Sequence, residues 1–178
     1  MILVTGGTGL VGSHLLVSLL KANQKVRAIY RNAEKIEKCK AVFQAYDELD
    51  CFEKIEWVQA DLMDYFSLKD AFEGIEYVYH SAAIVSFQSK DAGKMIDINV
   101  EGTAHIVNLS LDFKVKKLCF ISSVAALGSY ADNRCTDENA LWQKTKSTST
   151  YSISKYYAEN EVWRAAEEGL NVVIVNPA

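Results

Sequence analysis

The stretch Met1-Ile-Leu-Val-Thr-Gly-Gly-Thr-Gly-Leu-Val-Gly12 decides the fold. Its apolar start is typical of a buried strand, and a glycine-rich segment follows without a gap. The apolar residues from Leu10 onward predict a helix that ends near Ala22-Asn23. A strand that turns through glycines into a helix places a pyrophosphate at the helix N-terminus, so we expect a dinucleotide site rather than a merely flexible turn. The predicted contacts are Gly6, Gly7, Thr8, Gly9, Leu10, Val11 and Gly12.

Composition narrows the class of protein. The chain has 178 residues, 49% of them hydrophobic, which suffices for the core of one domain. A net charge of -4 provides no basic field for a nucleic acid. No apolar run approaches the roughly 20 residues that cross a bilayer. The four cysteines lack CxxC spacing. We therefore expect a cytoplasmic protein with reduced thiols, no metal site, no membrane contact and no nucleic-acid partner.

Short β-type runs alternate with helical stretches along the whole chain. The predicted strands are Met1–Val4, Val26–Tyr30, Ile55–Gln59, Tyr77–Tyr79, Lys117–Ile121 and Asn171–Val175. The predicted helices are 10–22, 33–49, 66–73, 91–113 and 151–168. The second is poorly periodic, which leaves open that part of it is loop. This alternation predicts an α/β, doubly wound Rossmann fold: a parallel sheet of at least six strands with helices on both faces, forming one domain over residues 1–178.

Ligands of such sheets bind outside the carboxyl ends of the strands. Small and polar residues follow several of the predicted strands there, namely the glycine segment, Tyr30-Arg31, Asp61-Leu62, Ser81-Ala82-Ala83 and Ser122-Ser123. The sequence therefore predicts a ligand site along this edge.

A second pattern, Tyr151-Ser-Ile-Ser-Lys155, places a phenol and an ammonium group on one face of a helix. Because a free tyrosine has a pKa near 10, a neighbouring cation would make it a better acid or base at neutral pH. Residues 148–150 offer N-caps for this helix. YxxxK alone also fits a solvated helix face, so its weight depends on the other motifs.

Taken together, these motifs resemble the extended short-chain dehydrogenases/reductases, the superfamily of nucleotide-sugar epimerases, dehydratases and dihydroflavonol-type reductases. The segment 5–12 matches the family's TGxxGxxG, and Asp61-Leu62 matches its adenine-side DL. The remaining matches, in the family's order, are His80-Ser-Ala-Ala83 (HxAA), Asp97-Ile-Asn-Val-Glu-Gly-Thr103 (DxNVxGT), Phe120-Ile-Ser-Ser123 (the serine strand) and Tyr151 to Lys155 (YxxSK).

The resemblance implies roles for individual residues. Tyr151 would be the general acid/base, Lys155 would lower its pKa and hold the nicotinamide ribose, and Ser123, with Ser122 as a substitute, would bind the substrate oxygen. Asn99 would have a structural or a cofactor-side role. His80, His14 and His105 are expected to be packing residues rather than bases. The cofactor contacts outside the glycine segment would be Tyr30, Arg31, Asp61, Leu62, Ala82, Ala83, Asn99, Tyr151 and Lys155.

The cofactor is predicted from the end of the second strand. NAD enzymes usually place an acid there to bind the ribose 2′-hydroxyl, whereas this chain has Tyr30-Arg31-Asn32. Arg31 can pair with a 2′-phosphate, so we expect NADP. If Arg31 is only a solvated loop charge, NAD stays open. The segment around Arg31 also resembles the dihydroflavonol-reductase branch.

The expected function is NADP(H)-dependent hydride transfer to or from a carbonyl or alcohol of a small-molecule substrate. An NAD-dependent nucleotide-sugar epimerase or dehydratase, and a non-catalytic dinucleotide-binding module, are the alternatives. The family's helices equivalent to 91–113 and 151–168 form a homodimer contact. The ending Asn176-Pro177-Ala178 leads us to expect that the C-terminal substrate-binding portion is absent and that the chain by itself turns over poorly.

Overall fold

The computed structural model describes residues 1–86, 88–130 and 135–178. Their centre is a six-stranded sheet in the order β3-β2-β1-β4-β5-β6, in which all five neighbouring pairs run parallel. The order reverses between β1 and β4, the point at which ligands bind in doubly wound sheets. The strands are β1 Ile2–Thr5, β2 Val26–Tyr30, β3 Glu56–Gln59, β4 Tyr77–His80, β5 Lys117–Ile121 and β6 Val172–Val175.

Helices connect the strands and cover the sheet. They are α1 Leu10–Lys21, α2 Glu34–Ala45, α3 Leu49–Phe52, α4 Tyr65–Ala71, α5 Ala92–Ile96, α6 Gly102–Asp112 and α7 Thr150–Glu167. Short 3₁₀ turns cover Ser89–Asp91 and Val124–Ala126, and a π-helical turn, Asp97–Glu101, joins α5 to α6.

Two hydrophobic clusters lie on opposite faces of the sheet. Neighbouring residues of β1 point to different sides: Leu3 packs with residues of α4, α6 and α7, and Val4 packs with α1 and α2. Both side chains are fully buried. A sheet buried on both faces explains the nearly continuous apolar strands of the sequence. The predicted doubly wound Rossmann fold is confirmed.

The predicted helix 33–49 is shorter in the structure: α2 covers Glu34–Ala45, and a separate one-turn helix, α3, begins only at Leu49. The α2 helix ends because Asp47 adopts a left-handed conformation with φ of 57°. The amide of Glu48 then donates to the Phe43 carbonyl (2.9 Å) and the Asp47 amide to that of Gln44 (3.0 Å), a Schellman arrangement. Aspartate tolerates this conformation better than most residues, but it is a weaker sequence signal than glycine.

Candidate functional site

The glycine segment forms a tight turn between β1 and α1. Gly6 has φ of 70°, and a Cβ there would lie 2.6 Å from the Ala82 backbone nitrogen. A Cβ on Gly12 would lie 2.1 Å from the Gly6 carbonyl oxygen. Gly9, at the N-cap of α1, has no side chain to accept from the first N–H groups. The start of α1 therefore packs directly against the backbone of the turn. Because no side chain caps α1, its first N–H groups are available to an anion.

A cleft of about 360 Å³ extends from this turn across the carboxyl ends of β1, β2 and β4. Gly7, Leu10, Val11 and Gly12 do not line it. Ser81, one of the polar residues expected at this edge, also lines the cleft, and the lining residues that sequence reasoning missed are Ile29, Asn32, Lys35, Ala60, Ile84 and Ile98. The predicted cofactor residues that line it are Gly6, Thr8, Gly9, Tyr30, Arg31, Asp61, Leu62, Ala82 and Ala83.

The far end of the cleft carries two cations. Arg31, whose side chain is about half exposed, lies 3.8 Å from the Asp61 carboxylate through Nη1 and Oδ2. Lys35 is in the first turn of α2, where Asn32 Oδ1 accepts from the Glu34 amide at 2.9 Å. The Asp61 carboxylate is held in turn by the Met63 amide (3.0 Å). Of these two cations, Arg31 was predicted from the sequence. Lys35 lines the cleft because α2 begins at the end of the cleft.

Lys155 lies in α7, buried beneath the carboxyl end of β5. Its Nζ donates to the Ile121 carbonyl oxygen at 2.8 Å and lies 4.3 Å from the centroid of the Phe120 ring. The residue is only 2% exposed. Burial lowers the pKa of the Lys155 ammonium to about 8, and the nearby Glu159 carboxylate acts in the opposite direction.

Ser123 and Tyr151 come from neighbouring elements. Ser123 follows β5 and caps the next turn, its Oγ accepting from the Ala125 amide at 3.1 Å. Tyr151, which is partly exposed, is in the first turn of α7. Ser152 Oγ donates to the Ala125 carbonyl at 2.7 Å, which joins these two turns. Ser122 is buried and donates its hydroxyl proton to Glu159 at 2.6 Å.

A chain of buried hydrogen bonds connects β1 to α7. His80 Nδ1 lies 2.6 Å from Thr5 Oγ1, and its Nε2 lies 3.0 Å from Thr103 Oγ1. Thr103 Oγ1 donates to the Asn99 carbonyl (2.5 Å), and Asn99 Nδ2 donates to Ser154 Oγ (2.9 Å). Burial lowers the pKa of His80 to about 3, so the ring is neutral and has both nitrogens engaged. It packs, as expected, and is not placed to act as a base.

The contacts of Asn99 are those of a structural residue. Its Oδ1 accepts from the Ile84 amide at 2.7 Å, and its Nδ2 donates to the Ile84 carbonyl at 2.9 Å as well as to Ser154. The residue is 2% exposed. These contacts occupy the amide, so it holds the segment after β4 against α7 and does not line the cleft.

Two negative observations apply to residues 1–86, 88–130 and 135–178. None of their helices is long and apolar enough to span a membrane. Within the same ranges, no group of three or more His, Cys, Asp or Glu side chains could hold a metal ion.

Comparison with known proteins identifies the family. A model of the NAD dependent epimerase/dehydratase family matches residues 2–178. The chain belongs to this family. It is 34% identical over 175 residues to a putative dihydroflavonol 4-reductase of Synechocystis, covering 98% of this chain and 48% of that protein. It is 33% identical to an anthocyanidin reductase of Arabidopsis thaliana, with coverages of 98% and 54%.

A solved structure shows the same fold within the family. A short-chain dehydrogenase/reductase superfamily protein from Agrobacterium tumefaciens, solved with bound NAD, superposes with a TM-score of 0.77 and 26% identity. The match covers 99% of this chain and 48% of that protein. The chain thus spans about half the length of the family members it matches. The expected extended short-chain dehydrogenase/reductase resemblance, nearest to dihydroflavonol 4-reductases, is confirmed.

Proposed function

We propose that this chain binds NADP(H) and carries the proton-transfer residues of an oxidoreductase that acts on a carbonyl or alcohol group of a small molecule. The observation that carries the proposal is the buried Lys155, one helical turn after Tyr151, with its ammonium group at the carboxyl end of β5. Burying an ammonium group costs free energy even when it is hydrogen-bonded, and ionisable groups perturbed in this way cluster at functional sites.

The residues present fit a nicotinamide dinucleotide. The turn at Gly6 and Gly12 has no room for a Cβ, which lets backbone N–H groups approach a pyrophosphate at the start of α1. The cleft of about 360 Å³ that continues to Arg31 offers a place for the adenosine half. When bound, the nicotinamide supplies or accepts the hydride.

Tyr151 is proposed to move a proton to or from the substrate oxygen, because charge develops there during hydride transfer. Lys155 would favour the phenolate of Tyr151 by its positive charge and would bind the nicotinamide ribose. Ser123 would donate its hydroxyl proton to the same substrate oxygen. Among the described residues, no acceptor is found for this proton. Ser122 is less suited to this role, since its proton already goes to Glu159.

The preference for NADP(H) is supported by the charges at the end of the cleft. Arg31 and Lys35 line it, and β2 ends in Tyr30 without an acid at the position that would repel a 2′-phosphate. Asp61 is close to Arg31, but it lies in the segment between β3 and α4 rather than at the end of β2. Bidentate pairing of arginine with phosphate would exceed the weak attraction across 3.8 Å.

Calorimetric titration with NADPH and, separately, NADH tests the cofactor. We expect NADPH to bind about tenfold more tightly or better, as one charge-assisted phosphate contact would provide. Tighter binding of NADH would overturn the NADP(H) assignment and favour the epimerase/dehydratase alternative.

Turnover of the variant Tyr151→Phe tests the chemistry. NADPH oxidation by the full-length protein is followed with small aldehydes and ketones, including a dihydroflavonol. Loss of the proton donor should lower kcat by about 100-fold or more while NADPH affinity stays within about threefold. Tyr157→Phe is the matched control, because Tyr157 lies on the same helix and is 44% exposed. Activity that survives Tyr151→Phe would refute the role of Tyr151 as the proton donor, and wild type that binds NADPH but oxidises it with none of these substrates would favour a cofactor-binding module.

A further inference from the structure

Glu159 is a functional candidate that the sequence motifs do not single out. It lies one turn beyond Lys155 in α7, and its carboxylate accepts three hydrogen bonds. Ser122 Oγ donates to Oε2 at 2.6 Å, Asn176 Nδ2 donates to Oε2 at 3.0 Å, and Trp163 Nε1 donates to Oε1 at 3.3 Å. A carboxylate on a solvated helix face is hydrogen-bonded mainly by water. The donors of Glu159 come instead from the ends of β5 and β6 and from α7.

The hydrogen bonds of Glu159 fix the loop that contains Ser123. The Asn176 amide that donates to Glu159 also donates to the Ser123 carbonyl at 3.1 Å. On the other side, the Ser122 hydroxyl holds the residue directly before Ser123. The end of β5, the end of β6 and α7 are thereby joined at one carboxylate. Ser123 has its backbone held from two directions.

The same carboxylate acts on Lys155. Burial disfavours the charged form of Lys155, and Glu159 favours it. The other groups around the ammonium leave Glu159 as the compensating charge: His80 from β4 is neutral, Phe120 from β5 offers its ring face, and the Ile121 carbonyl accepts a hydrogen bond. Tyr151, one turn earlier, is the titratable group that Lys155 is proposed to serve.

We propose that Glu159 is a positioning residue of the reaction site, which fixes Ser123 through Ser122 and Asn176 and keeps the Lys155 ammonium charged. The proposal rests on the proposed function, in which Ser123 and Lys155 act at the substrate. The hydrogen bonds of Glu159 go to Ser122, Trp163 and Asn176, and neither Glu159 nor these partners line the cleft.

The variant Glu159→Gln removes the charge and keeps the shape of the side chain. Lysine Cε is labelled with ¹³C and the Lys155 signal is assigned by its loss in Lys155→Met. We expect the pKa of Lys155 to fall by about one pH unit, because Glu159→Gln removes a unit negative charge one helical turn away in a partly buried site. The protonated fraction at pH 7 would then drop from about 90% to about 50%. The limb of the kcat profile that follows Lys155 should move to lower pH by the same amount.

Glu161→Gln is the matched control, since Glu161 lies on the same helix and pairs with Arg164 at the surface. It should leave the Lys155 titration and the kcat profile unchanged. A Lys155 titration that is the same in Glu159→Gln and in wild type would overturn the electrostatic half of the proposal, as would an equal shift in Glu161→Gln.

The positional half has its own test. The double variant Ser122→Ala/Asn176→Ala keeps the charge of Glu159 but removes its two contacts to the strand ends. It should lower kcat about tenfold with an unchanged pH profile, because Ser123 loses its support. Unchanged kcat would overturn this half. The Lys155 titration needs no turnover, so it tests the effect of Glu159 even if Tyr151→Phe stays active and the proposed role of Tyr151 fails.

Discussion

Replacing Gly12 by alanine should separate a requirement for space from a requirement for flexibility. The added Cβ would lie 2.1 Å from the Gly6 carbonyl oxygen and 2.9 Å from Gly7 Cα. Ordinary carbon–oxygen contacts begin at about 3.3 Å, so α1 and the turn must separate by about 1 Å. The neighbouring atoms are backbone, which cannot rotate away.

Two effects of opposite sign compete in Gly12→Ala. Alanine in a helix is favoured over glycine by about 1 kcal/mol, while overpacking of this kind costs about 1–3 kcal/mol. We therefore expect a modest loss of stability. The displaced turn should reduce NADPH affinity by about 100-fold, equivalent to about 2.8 kcal/mol, because a misplacement of about 1 Å removes hydrogen bonds to the phosphates.

The matched control is Gly93→Ala in α5, where a Cβ would meet nothing within 4 Å. This variant gains helix propensity without a clash, so it should unfold at a slightly higher temperature and bind NADPH as the wild type does. Thermal unfolding and calorimetric titration of both variants give the comparison. The spatial argument is wrong if Gly12→Ala binds NADPH within about threefold of wild type and is as stable as Gly93→Ala.

Two further predictions concern charged groups. Arg31→Ala should weaken NADPH binding about tenfold and leave NADH binding within about threefold, and Lys35→Ala should act in the same direction; equal losses for both cofactors by calorimetry would contradict a 2′-phosphate contact. The pKa of His80 is lowered from 6.5 to about 3, so only the unfolded chain takes up this proton between those values. The contribution of neutral His80 to the free energy of unfolding is complete above pH 6.5 and is lost as the pH falls toward 3. Between pH 7.5 and 5 the loss is about 2 kcal/mol. Urea unfolding should show this slope in wild type and in His14→Gln but not in His80→Gln; a slope retained in His80→Gln would contradict the assignment.

The sequence predicted those strands and turns whose conformation depends on neighbouring residues in the chain. The bounds of β2 and β5 are as predicted, because each apolar run is bordered by polar residues that cannot continue a buried strand. The glycine segment predicted the turn, because a side chain at Gly6 would collide with the backbone of Ala82. Poor periodicity left a loop open within 33–49, but the position of the break at Asp47 was not predictable, because it depends on backbone hydrogen bonds that aspartate permits but does not dictate.

The candidate site was predictable only in part, because its remaining contacts join distant segments. Lys35 reaches the cleft through the position of α2, and no motif contains it. Asn99 belongs to a motif, yet its partners Ile84 and Ser154 are known only once α7 packs beside the chain after β4. The same holds for Glu159, whose donors come from both strand ends. Motifs give the residue types, and the fold gives their partners.

The buried hydrogen-bond chain from Thr5 to Ser154 has a consequence for folding energetics. Its links close loops of 75 residues between Thr5 and His80 and of 55 residues between Asn99 and Ser154. Contacts between such distant residues must offset the entropy of closing these loops. In the folded state they connect the glycine turn to the helix of Tyr151. A ligand that bridges them stabilises the whole domain against unfolding, by an amount that grows with the logarithm of its concentration.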